Sequence, residues 1–146
     1  DTRVLISGYE HNAVTRPLHA LGASVRVAAS PLFQPALCLD AFARHLDWAE
    51  VVVCTMVSNV FGYCLPITEL AALCREKRKP LILDASQAAG CLPLDFSALG
   101  AAFAAMGTET SKGTKVFALT GKVLKSPLFH LASALLQVSF FSLLCL

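Results

Sequence analysis

The chain has 146 residues, 55% of them apolar and only 15% charged, with a formal net charge of +2. Soluble domains carry about 25% charged residues and disordered chains are poor in apolar ones, so intrinsic disorder is excluded. The charge is too balanced for a basic nucleic-acid surface, and the length suits one domain or a piece of a larger one.

Arg3–Ser7 (RVLIS) reads as a strand. Residues 12–21 read as a helix stopped by Gly22. Pro17 is a flaw inside it, because an interior proline removes a backbone hydrogen bond. Ser24–Ala28 alternates as a short strand. Residues 36–46 are helical, with Leu37, Phe42 and Leu46 near one face. Residues 50–56 hold the run VVVCTM, the pattern of a strand buried on both sides. Residues 66–77 make the clearest helix. Pro66 suits its first position, Glu69 the positive end of its dipole, and Arg75 and Lys77 the negative end. Residues 81–83 are a further buried strand ended by Asp84. Phe96–Leu99 is one helical turn, and residues 102–106 form a last short strand.

This order predicts an α/β fold: a mainly parallel sheet with helices on both faces. Ligands of such sheets bind beyond the carboxyl ends of strands. Candidate functional residues are therefore sought at Glu10-His11-Asn12, at Ser58-Asn59, at Asp84 to Gln87, and after residue 106.

The composition changes near residue 106. Residues 1–106 hold 8 basic and 9 acidic side chains, whereas residues 107–146 set Lys112, Lys115, Lys122 and Lys125 against Glu109 alone. Residues 127–146 contain 14 apolar side chains and no charge. That length just spans a bilayer, but His130, Gln137 and three serines weaken a membrane reading. Two parts are expected, 1–106 and 107–146, the second apolar from residue 127.

Six cysteines lie at positions 38, 54, 64, 74, 91 and 145, with no C-x-x-C pair. Zinc and thioredoxin-like chemistry have no support, no metal site is expected, and buried free thiols fit a reducing compartment. No signal-peptide pattern opens the chain, so a cytoplasmic location is expected. Opening inside a strand-like run suggests that an N-terminal portion is absent.

Asp84 at a strand end suits a Walker B carboxylate, a metal ligand, a cofactor-nitrogen partner or a cap of the next turn. The Walker reading fails: Val123 follows Gly121-Lys122 where Ser or Thr is needed. Asp84 has company. Gln87 follows it within one turn, Asn59 follows the previous buried strand, and His11 follows the first. Carboxylate, two amides and imidazole form a plausible lining for one site. His19, His45 and His130 read as packing or surface residues.

Four runs carry a resemblance: Glu10-His11-Asn12-Ala13-Val14 with Arg16-Pro17-Leu18; Val57-Ser58-Asn59-Val60-Phe61-Gly62 with Leu65-Pro66-Ile67; Leu83-Asp84-Ala85-Ser86-Gln87-Ala88-Ala89-Gly90; and Leu92-Pro93-Leu94-Asp95. Together they resemble the cysteine desulfurases of the class V aminotransferase group, pyridoxal-phosphate enzymes of fold type I. The resemblance covers residues 1–106 and corresponds to part of the family's large domain. It implies that His11 stacks on the pyridine ring and that Asp84 pairs with its nitrogen. It also implies that Asn59 and Gln87 bond the ring's phenolic oxygen. L-cysteine would be the substrate, giving alanine and a persulfide, in a homodimer.

The departures are equally specific. Where the family reads Pro-Gly-His-Lys-Gly, this chain reads Gly107-Thr108-Glu109-Thr110, so Thr110 occupies the cofactor-holding lysine position. Lys112, two residues on, is the candidate to replace it, although two extended residues span about 6.6 Å. The family's phosphate loop would lie before residue 1, and none of the six cysteines matches its nucleophile motif. The abrupt loss of resemblance after residue 106 suggests a frameshift, a splice event or a misjoined gene. An inactive chain is expected, with a non-catalytic product, a membrane-tethered form or another class V enzyme as alternatives.

Overall fold

Period-2 alternation gives a strand two faces, both apolar in the strands Arg3–Ser7, Val51–Thr55 and Leu81–Asp84 of this chain, and each face of the sheet takes its own helices. A computed structural model describes residues 1–89, 91–93, 95–105, 108–109 and 115–116. Strands β1 (Arg3–Ser7), β2 (Ser24–Ala28), β3 (Val51–Thr55), β4 (Leu81–Asp84) and β5 (Phe103–Ala105) form one sheet. Its order is β2-β1-β3-β4-β5 and every pairing is parallel. A separate antiparallel pair joins β6 (Thr108–Glu109) to β7 (Lys115–Val116).

On one face Val4, Ile6, Val51, Val53 and Ile82 pack with Val14 and Leu18 of α1 (Asn12–Ala20). On the other, Leu5, Val52, Cys54, Leu81 and Leu83 join one core with α2 (Pro35–Leu46) and α3 (Ile67–Glu76). Phe96 and Leu99 of α4 (Phe96–Leu99) pack against that second core. The division follows from chain travel. The chain steps outward from β1 to β2, then back past β1 to β3. Right-handed crossovers of opposite travel place their helices on opposite faces. All five residues of β3 are buried, as the VVVCTM run predicts.

Three expectations need correction. Leu37 is 43% exposed, whereas Phe42 and Leu46 are fully buried. Five residues of helix rotate by about 140° from the face of Phe42, so Cys38 and Ala41 point inward instead. Pro66 is the N-cap of α3, one position before the helix. Cys38, Cys54 and Cys74 are buried free thiols, but Cys64 and Cys91 lie in loops and are exposed. The interior Pro17 of α1 stands, and it is buried. Thr110, Lys112, Cys145 and the apolar residues 127–146 lie outside the described residues. Among the described residues, no helix is long and apolar enough to cross a membrane.

Candidate functional site

The strand order reverses between β1 and β3, and the crevice beyond such a reversal is where open parallel sheets bind ligands. Three loops leave the carboxyl ends of β1, β3 and β4, which are neighbours in the sheet. They carry His11, Asn59, and Asp84 with Gln87. All four sequence-predicted residues therefore emerge along one edge of the sheet.

His11 is the N-cap of α1, and its Nδ1 accepts the Ala13 N–H at 3.1 Å. An accepting Nδ1 leaves the proton of the neutral ring on Nε2. The ring itself is exposed. Asn59 stands at the tip of the β3–α3 loop, also exposed. That loop is pinned by a bridge between Val57 and Cys64 and by Ser58 N–H donating to the Tyr63 carbonyl at 2.9 Å. Gly62, at φ 61°, makes the reversal that closes it.

Asp84 ends β4, with its backbone carbonyl accepting Met56 N–H at 2.9 Å. Its Oδ1 accepts the Ser86 N–H at 3.0 Å and the Ser86 hydroxyl at 2.6 Å. The turn-capping reading of Asp84 is thus realised through one oxygen. Oδ2 makes no hydrogen bond to a described residue. Gln87 lies exposed in the following turn, which Ala88 and Ala89 N–H groups close onto the Ala85 carbonyl.

Glu10 belongs to the Glu10-His11-Asn12 run sought after the first strand, but sequence reasoning assigned it no role of its own. Its Oε1 accepts the Ser7 hydroxyl at 2.5 Å and the Thr55 N–H at 2.7 Å, joining the ends of β1 and β3. Its Oε2 is enclosed and has no partner among the described residues. Burial pushes the Glu10 carboxyl up to about 8, the negative charge of Asp84 adds to the rise, and the two hydrogen bonds oppose it. Burial also pushes the Cys54 thiol well up, with Glu10 contributing. The place of Glu10 just after a strand and the serine three residues before it were the sequence signals, and neither marks a buried acid.

A separate cleft of about 470 Å³ opens beside α3 and is lined chiefly by Met56, Leu65, Ile67, Leu92 and Leu99. None of the four predicted residues lines it. Among the described residues, no group of three or more His, Cys, Asp and Glu side chains could hold a metal ion.

A parallel sheet with helices on both faces, whose strand order reverses between β1 and β3, defines an open α/β domain. The chain belongs to the class-V aminotransferase family, whose model matches residues 1–121. That match runs past the composition break near residue 106. An IscS-like cysteine desulfurase of Mycobacterium tuberculosis is 35% identical over 105 residues, covering 67% of this chain and 26% of that protein. The chain therefore spans about a quarter of that relative's length. An alanine–glyoxylate aminotransferase from Nostoc sp. is similar in structure, with TM-score 0.68 and 21% identity over 93% of this chain and 36% of that one. A NifS-like protein from Rickettsia africae gives TM-score 0.67 and 18% identity, covering 99% of this chain and 45% of that one. The fold is accordingly that of fold-type-I pyridoxal-phosphate enzymes, in part, and the family is one of pyridoxal-phosphate enzymes.

Proposed function

We propose that the chain forms the ring-facing wall of a pyridoxal-phosphate site in an enzyme of the cysteine desulfurase type. The observation that carries this is the half-used carboxylate of Asp84. Ser86 holds Oδ1 and leaves Oδ2 open at the carboxyl end of β4, beside the switch point.

The donor set fits the flat heteroaromatic ring. Asp84 pairs with the ring nitrogen and keeps it protonated. His11, fixed by its cap, offers a ring face for stacking. Asn59 and Gln87, both exposed, bond the phenolic oxygen. When bound, pyridoxal phosphate supplies an electron sink for the amino-acid substrate. The 35% identity to a cysteine desulfurase favours L-cysteine as the whole enzyme's substrate, with alanine and transferable sulfur as products. A homodimer and a cytoplasmic location belong to the same reading.

Thr110 stands where the covalent lysine is expected, and Lys112 is two residues away. Catalytic placement tolerates errors of only about 1 Å, so Lys112 does not substitute. This chain holds the ring without turning over cysteine. The test uses pyridoxamine 5′-phosphate, which has no aldehyde and so ignores surface lysines. Equilibrium dialysis shows saturable binding, and L-cysteine with pyridoxal phosphate yields no alanine above free cofactor. Absence of saturable binding overturns the site, and enzymatic alanine formation overturns the inactivity.

A further inference from the structure

A carboxyl group is closed off between β1 and β3, at the switch point. The Ser7 hydroxyl donates to Glu10 Oε1 from the end of β1 at 2.5 Å, and Thr55 N–H donates from the end of β3 at 2.7 Å. Ser7 Oγ in turn accepts the Tyr9 N–H at 3.1 Å, which fixes the hydroxyl's direction. Oε2 is enclosed and meets no described donor or acceptor. The ionisable groups that face Glu10 among the described residues are Asp84 on β4 and the Cys54 thiol on β3. His11 is its neighbour in the chain.

An ionised Glu10 would leave one carboxylate oxygen buried and bare, close to a second carboxylate. Both conditions disfavour charge strongly. A protonated Glu10 takes the charge out of this enclosed place, and an unpaired hydroxyl costs far less there than an unpaired charge. Oε1 stays a carbonyl oxygen with two donors, and Oε2 becomes an uncharged hydroxyl.

We infer that Glu10 is a positioning residue, a neutral carboxyl clasp that ties β1 to β3 and leaves Asp84 the only negative charge at this place among the described residues. The tie stands on the geometry. The use of Asp84's charge for a ring nitrogen rests on the reading given under Proposed function. With its carboxyl at about 8, Glu10 keeps its proton at neutral pH. The unfolded carboxyl releases its proton near 4.5 and the folded one near 8. Between those values the folded state binds the extra proton, so stability falls as pH rises, by up to about tenfold in the folding constant per pH unit.

Urea denaturation of the full chain from pH 5 to pH 8 tests the clasp. The wild-type folding constant is expected to fall progressively across this window. Glu10→Gln keeps the carbonyl and a neutral donor, so it matches the wild type at pH 5, exceeds it at pH 8 and follows a flatter profile. Asp84→Asn removes a charge that raises the Glu10 carboxyl, so it shrinks the wild-type fall. NMR of wild type labelled at its glutamate carboxyl carbons shows one carboxyl titrating near 8, a readout that does not require Glu10→Gln to fold. Glutamates that all titrate in the ordinary range, or identical pH profiles for wild type and Glu10→Gln, overturn the inference. None of these measurements uses the cofactor. An intact pH profile without pyridoxamine phosphate binding therefore overturns the cofactor reading alone.

Discussion

At the scale of single residues, the site is built from side chains that do local structural work with one atom and leave another available. Asp84 caps its turn with Oδ1, and His11 caps α1 with Nδ1. The two duties of His11 can be separated. Serine is a good N-cap but has no ring, so His11→Ser is expected to hold stability within about 0.5 kcal/mol. His11→Ala loses about 1 kcal/mol. Both weaken pyridoxamine phosphate binding, as measured by dialysis alongside urea denaturation. The positions of His11, Asn59, Asp84 and Gln87 were legible in the sequence because each follows a recognisable strand, and parallel sheets gather such ends. Glu10 was not legible as a buried acid. Its second donor, Thr55, is 45 residues away, and only the register of β1 against β3 brings it near.

At the scale of elements, the strands and helices follow the apolar pattern to within one or two residues. What the pattern did not settle was helix rotation. Phe42 is fully buried, and Leu37 is 43% exposed, although both are large and apolar. Phe42→Ala is expected to cost about 3–5 kcal/mol through the cavity it leaves. Leu37→Ala stays within about 0.5 kcal/mol. Similar losses at the two positions, measured by chemical denaturation, would contradict the rotation of α2. The exposed Cys64 and Cys91 teach a related lesson. Apolar neighbours in sequence do not bury a thiol when the segment is a loop rather than a strand or helix. Cys38 and Cys74 on helices, and Cys54 on a strand, are buried.

At the scale of the whole molecule, the high apolar fraction follows in part from a sheet covered on both faces, whose central strand β3 has no exposed residue. The order β2-β1-β3-β4-β5 then puts the reversal of strand order between β1 and β3, with β4 beside it. That topology is why loops so far apart in sequence supply one edge with carboxylate, amides and imidazole. We propose that Asp84 at this edge pairs with the nitrogen of a pyridoxal-phosphate ring. Asp84→Asn isolates that pairing, because the amide oxygen can still accept both Ser86 donors and keep the turn. A charge-assisted hydrogen bond contributes about 1.5–3 kcal/mol, so the substitution should weaken pyridoxamine phosphate binding by roughly tenfold to a hundredfold. Equal affinities for wild type and Asp84→Asn in equilibrium dialysis would contradict the claim.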